Sequence, residues 1–183
     1  MRNKKFIGYS LKTNNYNYIP EFENLGSVSH CIRKEPARLE NIWNYNECGL
    51  FDTIEKAKLN TSEKHFTIFA YYIYNFAFCE GELLHSSEFL TKAEKVNDCD
   101  FNKRQFDFIG YDIVSNDLTT FVECSPLSCN YAHKDFKTNK FCLIDLYEYS
   151  LEVCKAISKG NYEPGIYYLF EVWQLKKNTS LNF

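Results

Sequence analysis

Twenty residues of this chain are written nearly twice. Residues 6–25 read FIGYSLKTNNYNYIPEFENL and residues 108–127 read FIGYDIVSNDLTTFVECSPL. Laid over one another without a gap, Phe6, Ile7, Gly8, Tyr9, Asn14, Glu21 and Leu25 meet identical residues. That is seven identities, where about one is expected by chance. Leu11 against Ile113, Thr13 against Ser115 and Asn15 against Asp117 are mild changes. Internal duplication is the economical account, and it constrains the fold strongly: what the first unit forms, the second forms again.

The period of the pattern says what that is. Ile7, Tyr9 and Leu11 alternate with Gly8, Ser10 and Lys12, and Ile109, Tyr111 and Ile113 alternate with Gly110 and Asp112. A period of two describes a strand with one buried face. The pairs Asn14-Asn15 and Asn116-Asp117 then fall where a hairpin turn belongs.

The correspondence continues downstream. Leu50-Phe51-Asp52-Thr53-Ile54-Glu55 aligns with Leu143-Ile144-Asp145-Leu146-Tyr147-Glu148. Each carries Asp followed three residues later by Glu, where the Asp can cap a helix and the Glu can reach back. In the second helix Leu146, Tyr149, Val153 and Ile157 recur at helical spacing, and Gly160 supplies a stop. A long apolar run follows each helix, over 66–78 and 166–175, the second set off by Pro164-Gly165. Both runs are apolar on both faces, as central strands are.

Each unit therefore reads strand–hairpin–strand, loop, helix, strand. The expected fold class is α+β, with pseudo-twofold symmetry and an aromatic-rich sheet core. The units span 1–78 and 108–183 and are joined by 79–107, where 87–96 predict a short helix; the whole is expected to form one compact domain. Sixteen Phe and fourteen Tyr suit strands and a bulky core.

Charge and apolar run length limit the function classes. A net charge of −3 supplies no basic footprint for nucleic acid. The most apolar run is too short for a membrane helix, and the basic, polar start lacks the apolar run of a secretory signal. The expectation is a soluble cytoplasmic chain that binds neither nucleic acid nor membrane. Most of its eight cysteines then read as buried, reduced thiols acting as small apolar residues.

No GxSxG, P-loop, HExxH or GxGxxG motif is present. Cys124, Cys129 and His133 are of zinc-ligand type, but the spacing C-x4-C-x3-H completes no tetrad. No metal and no cofactor are expected. A cysteine nucleophile with His133 as base would need the two side by side and a depressed thiol pKa.

Where the two copies differ, function has room to accumulate. Residues 123–131 form a small, polar, cysteine-bearing loop whose counterpart lacks cysteine. Residues 26–49 make the first unit about nine residues longer there, and contain Arg33, Lys34, Pro36, Arg38 and Trp43. Ser10 stands where the second copy has Asp112, a residue disfavoured inside strands. The expected partner surface is Asp112, Ser125, Ser128, Cys129, Asn130 and Tyr131. The expected function is a non-catalytic protein-binding module of the inhibitor or immunity type, masking a toxin or enzyme. Two alternatives stay open: a cysteine-dependent enzyme using the Cys/His/Asp group of the second unit, and a small-molecule sensor with a cleft between the repeats.

Overall fold

The computed structural model describes residues 3–13, 19, 21–22, 25–29, 45–61, 65–96, 101–116, 124–160, 162–163 and 165–177. In chain order the elements are β1 (Lys4–Thr13), α1 (Ile54–Leu59), β2 (Phe66–Cys79), β3 (Glu82–Leu84), α2 (Glu88–Lys95), β4 (Phe106–Asn116), α3 (Pro126–Cys129), α4 (Tyr147–Lys159) and β5 (Ile166–Leu175). The fold is α+β. One antiparallel sheet runs β1-β2-β5-β4, and β3 pairs with the last residues of β2.

The long apolar runs are the two central strands, as their composition predicts. Phe69, Tyr71 and Ile73 of β2 and Tyr168, Phe170 and Val172 of β5 face one side, with Phe89, Leu90 and Ala93 of α2 in the same cluster. The other side carries Ile68 and Ala70 with Ala57 of α1, and Tyr167 and Leu169 with Val153, Cys154 and Ile157 of α4. Helices thus cover both faces, and the core is aromatic-rich. Ser87 starts α2 by accepting from Leu90 N at 3.1 Å.

The repeated Phe-Ile-Gly-Tyr has a definite geometry in both edge strands. The register of β1 against β2 slips between Phe6 and Gly8, and that of β4 against β5 slips between Phe108 and Gly110. Each slip is a bulge with Ile as the extra residue. Gly8 has φ +132° and Gly110 +138°, a region side chains rarely enter. A Cβ on Gly8 would lie 2.7 Å from Phe51 O, and one on Gly110 2.9 Å from Ile144 O. Glycine is required because a loop backbone presses against the bulge.

That loop is held by an asparagine in each half. Asn46 Nδ2 donates to Ile7 O at 2.8 Å, and its Oδ1 accepts from Cys48 N and Leu50 N. Asn139 Nδ2 donates to Ile109 O at 2.8 Å, and its Oδ1 accepts from Phe141 N and Leu143 N. Tyr9 and Phe51 exchange backbone hydrogen bonds at 2.8 and 2.9 Å, and so do Tyr111 and Ile144. Gly49 (φ +68°) and Cys142 (φ +59°) turn the two loops in the same left-handed conformation.

Three local expectations need correction. Asp52 does not cap α1: Thr53 does, accepting from Lys56 N, while Asp52 pairs with Lys56 Nζ at 2.8 Å. Asp145 does not cap α4, which starts after Leu146 without a side-chain cap; its Oδ1 accepts from Asn139 Nδ2 at 2.7 Å instead. The return arm of each hairpin is not a strand among the described residues. Residues 25–29 belong to no strand, and Cys124 makes a single bridge to Ser115 before the chain turns into α3. The turn at Asn14-Asn15, Asp117, and the stretch bearing Arg33, Lys34, Pro36, Arg38 and Trp43 lie outside the described residues.

Each asparagine serves three main-chain groups at about 1 kcal/mol apiece. Asn46→Ala and Asn139→Ala are each expected to lower unfolding free energy by about 2–4 kcal/mol. Urea denaturation of the two variants checks this, and equal losses indicate that the two loops are held alike.

Candidate functional site

Residues 25–29 form a buried strap laid over one face of the sheet. A buried strap must have its backbone polar groups satisfied. Lys12 of β1 bonds Leu25 O at 2.7 Å and Ser27 O at 2.5 Å. Tyr71 of β2 reaches Ser27 O at 3.4 Å and shares a 2.9 Å hydrogen bond with Ser10. Gly26 N donates to Phe141 O, and Gly26 is packed so closely that a Cβ would come within 2.6 Å of Leu143. At the far end Val28 N donates to Asp112 Oδ2 at 2.9 Å.

Asp112 has no solvent exposure. Its Oδ1 accepts from Ile113 N at 3.0 Å and from Ser125 Oγ at 2.7 Å, and the Ser27 hydroxyl is also in reach. Burial pushes its carboxyl above the ordinary Asp value, while Ser27, Ser125, Val28 and the charge of Lys12 pull the other way. Ser10 and Asp112 occupy the same place on their strands and the same face of the sheet, but only Asp112 joins the strap to the loop before α3.

The six residues marked by sequence separate into two groups. Asp112, Ser125 and Ser128 are fully buried, so of the expected partner surface they form the interior part. Ser125 gives its hydroxyl to Asp112, and Ser128 gives its own to Ser125 O at 3.4 Å. Local sequence could not show this, because the carboxylate that takes the Ser125 hydroxyl is fixed in turn by Val28, 84 residues away. Cys129 and Asn130 are half-buried, and Tyr131 is 53% exposed. Tyr131 has φ +59°, with Lys134 Nζ 4.8 Å over its ring and the His133 ring 5.9 Å away.

The sulfur of Cys129 lies at the meeting point of several donors. Ser29 Oγ is 3.5 Å away, Ser128 Oγ is 3.8 Å away, and the Cys124 thiol is within hydrogen-bond reach. Cys124 Sγ also reaches Asn130 Oδ1 at 3.2 Å. The Cys124 contact, with smaller help from Ser29, the Ser125 backbone and Ser128, overcomes burial and brings the Cys129 thiol down to about 6. Burial drives the other way elsewhere: Cys48 is pushed up to about 12, and Cys142 and Cys154 are raised further still. His133 is not among the partners of this sulfur. Its Nδ1 lies 2.8 Å from Leu127 O and its Nε2 3.4 Å from Glu21, with Phe22 edge-on to the ring.

Two cavities lie away from this cluster. One, of about 220 Å³, sits between β1, β2 and α2 beside Lys4, Lys5 and His85. The other, of about 460 Å³, lies by Glu80, Lys159 and Tyr167. Among the described residues no group of three or more His, Cys, Asp or Glu is placed to hold a metal, and no helix is long and apolar enough to cross a membrane. No protein-family model, curated protein or solved structure matches the chain.

Asp112→Asn places an amide N–H against one of the donors that now meet a carboxylate oxygen. A loss of about 1–3 kcal/mol is expected. Below about pH 4 the wild-type carboxyl is protonated both folded and unfolded. As pH rises past that, the unfolded state ionises first because the folded pKa is raised, so wild-type stability falls while the variant's does not. The gap between the two proteins should therefore be widest near pH 4 and narrow as pH rises, as denaturant melts across that range will show.

Proposed function

We propose that the chain is a protein-binding module of the inhibitor or immunity type, working in the cytoplasm. Its contact surface is Cys129, Asn130 and Tyr131, with Asp112, Ser125 and Ser128 as the buried base beneath. One observation carries this reading: a tyrosine is held outward. Most of this chain's described aromatic rings are at least partly buried, and Tyr131 and Phe108 are the large aromatic side chains left exposed among the described residues. Tyr131 also sits in a left-handed backbone conformation, which costs a non-glycine residue about 1–3 kcal/mol and persists where the surroundings impose it. Exposed aromatics with a basic neighbour such as Lys134 are typical anchors of protein interfaces.

The same reading includes an internal duplication that gave the scaffold its two halves. It is supported by the shared Phe-Ile-Gly-Tyr, by the matched bulges at Gly8 and Gly110, and by the matched clamps of Asn46 and Asn139. Tyr131 belongs to the half of the chain whose loop departs from its counterpart.

The test is a paired capture from the native cell with wild type and Tyr131→Ala, followed by titration of the protein retained by wild type alone. Truncating an interface anchor costs about 2 kcal/mol or more, so affinity should drop about thirtyfold or more. Stability should change by no more than about 0.5 kcal/mol. A partner that binds both proteins equally, or a loss that follows unfolding, overturns the assignment.

A further inference from the structure

We propose that Cys129 and Cys124 form a dithiol redox site in which Cys129 attacks a hydroperoxide first and Cys124 resolves it. This goes beyond the binding reading and does not depend on it. The geometry sets this pair apart from Cys48, Cys142 and Cys154. Cys129 is half-buried at the last position of the four-residue α3, and its sulfur is met by the Ser29 and Ser128 hydroxyls at 3.5 and 3.8 Å. Cys124, just before α3, is buried with its thiol in reach of the Cys129 sulfur and 3.2 Å from Asn130 Oδ1. Cys48, Cys142 and Cys154 are fully buried, and burial holds each as a neutral thiol.

The converging donors stabilise a thiolate on Cys129 near neutral pH, the form that attacks. The thiolate attacks one oxygen of the hydroperoxide and the O–O bond breaks. The sulfur becomes a sulfenic acid, and the departing alkoxide or hydroxide takes a proton to leave as alcohol or water. The Cys124 sulfur then attacks the sulfenic sulfur, an S–S bond forms, and hydroxide leaves with the Cys124 proton as water. Two thiols are oxidised by two electrons and one peroxide is reduced. The disulfide joins the two ends of α3, so a one-turn helix is what must adjust.

The choice of pH decides how well the first thiol stands out. Against an ordinary thiol of pKa about 9, the thiolate fraction of Cys129 is about ninetyfold higher at pH 7, but its lower basicity returns about twentyfold of that in nucleophilicity. The net preference is about fourfold at pH 7 and about thirtyfold at pH 5.5. The fully reduced native protein is therefore treated with 4,4′-dithiodipyridine at pH 5.5 and mapped by mass spectrometry, and separately with one equivalent of hydrogen peroxide. We expect Cys129 to be modified first in the former. In the latter the intact mass should fall by two hydrogen atoms and a Cys124–Cys129 linked peptide should appear. In Cys124→Ser, dimedone should trap Cys129 as a sulfenic acid with no crosslink. Oxidation of other cysteines ahead of Cys129, or oxidation of Cys129 in wild type without the Cys124 bond, overturns the proposal. The wild-type maps decide the question even where the variant does not fold.

Discussion

A carboxyl group with no contact to water joins three segments of this protein. Burying Asp112 is unfavourable unless its oxygens are bonded, and they are bonded from three directions. One donor comes from its own strand, one from the strap at Val28, and one from Ser125 before α3. A single side chain thus joins β4, a segment from the other half of the chain, and the loop that carries Cys129 and Tyr131. The positions of both surface residues follow from it, because α3 has only four residues and cannot place itself.

The second constraint is the glycine bulge. Phe-Ile-Gly-Tyr reads as plain alternation, yet the alternation breaks at glycine in both strands. The Ile carbonyl freed by the bulge would be an unsatisfied acceptor, and Asn46 or Asn139 takes it. The same asparagine folds the following loop back to bridge the adjacent Tyr. Gly, Tyr and a distant Asn therefore form one device, in which each part makes the others necessary.

This device shows what was legible and what was not. Strands β2 and β5 stood out because their runs are long and apolar on both faces, and residues 87–96 read as a short helix, where α2 lies. The bulge was legible only as two repeated glycines, since period-two reasoning has no symbol for an extra residue. Asn46 and Asn139 were missed although the alignment of Leu50 with Leu143, carried four residues back, places one on the other. The Asp-x-x-Glu pattern misled for a tertiary reason: in the second half Asn139 claims the Asp145 carboxylate, which a helix end would otherwise use. Ser125 and Ser128 looked like surface residues because serine usually is one. Ser125 is instead tied to a buried carboxylate on another strand, which no local pattern announces.

The strap also accounts for a difference between the two edge strands. It crosses the sheet once, so the two edge strands meet different parts of it. At β1 it presents carbonyls, and Lys12 bonds two of them. At β4 it presents an N–H, and Asp112 accepts it. The residues aligned with these are Val114 and Ser10, neither of which could do the other's work. Val114 is buried among apolar neighbours, and Ser10 shares its hydroxyl with Tyr71. A donor on one edge and an acceptor on the other is the least that one polar strap requires of a sheet with two similar edges. The difference between Ser10 and Asp112 is thus accounted for by packing.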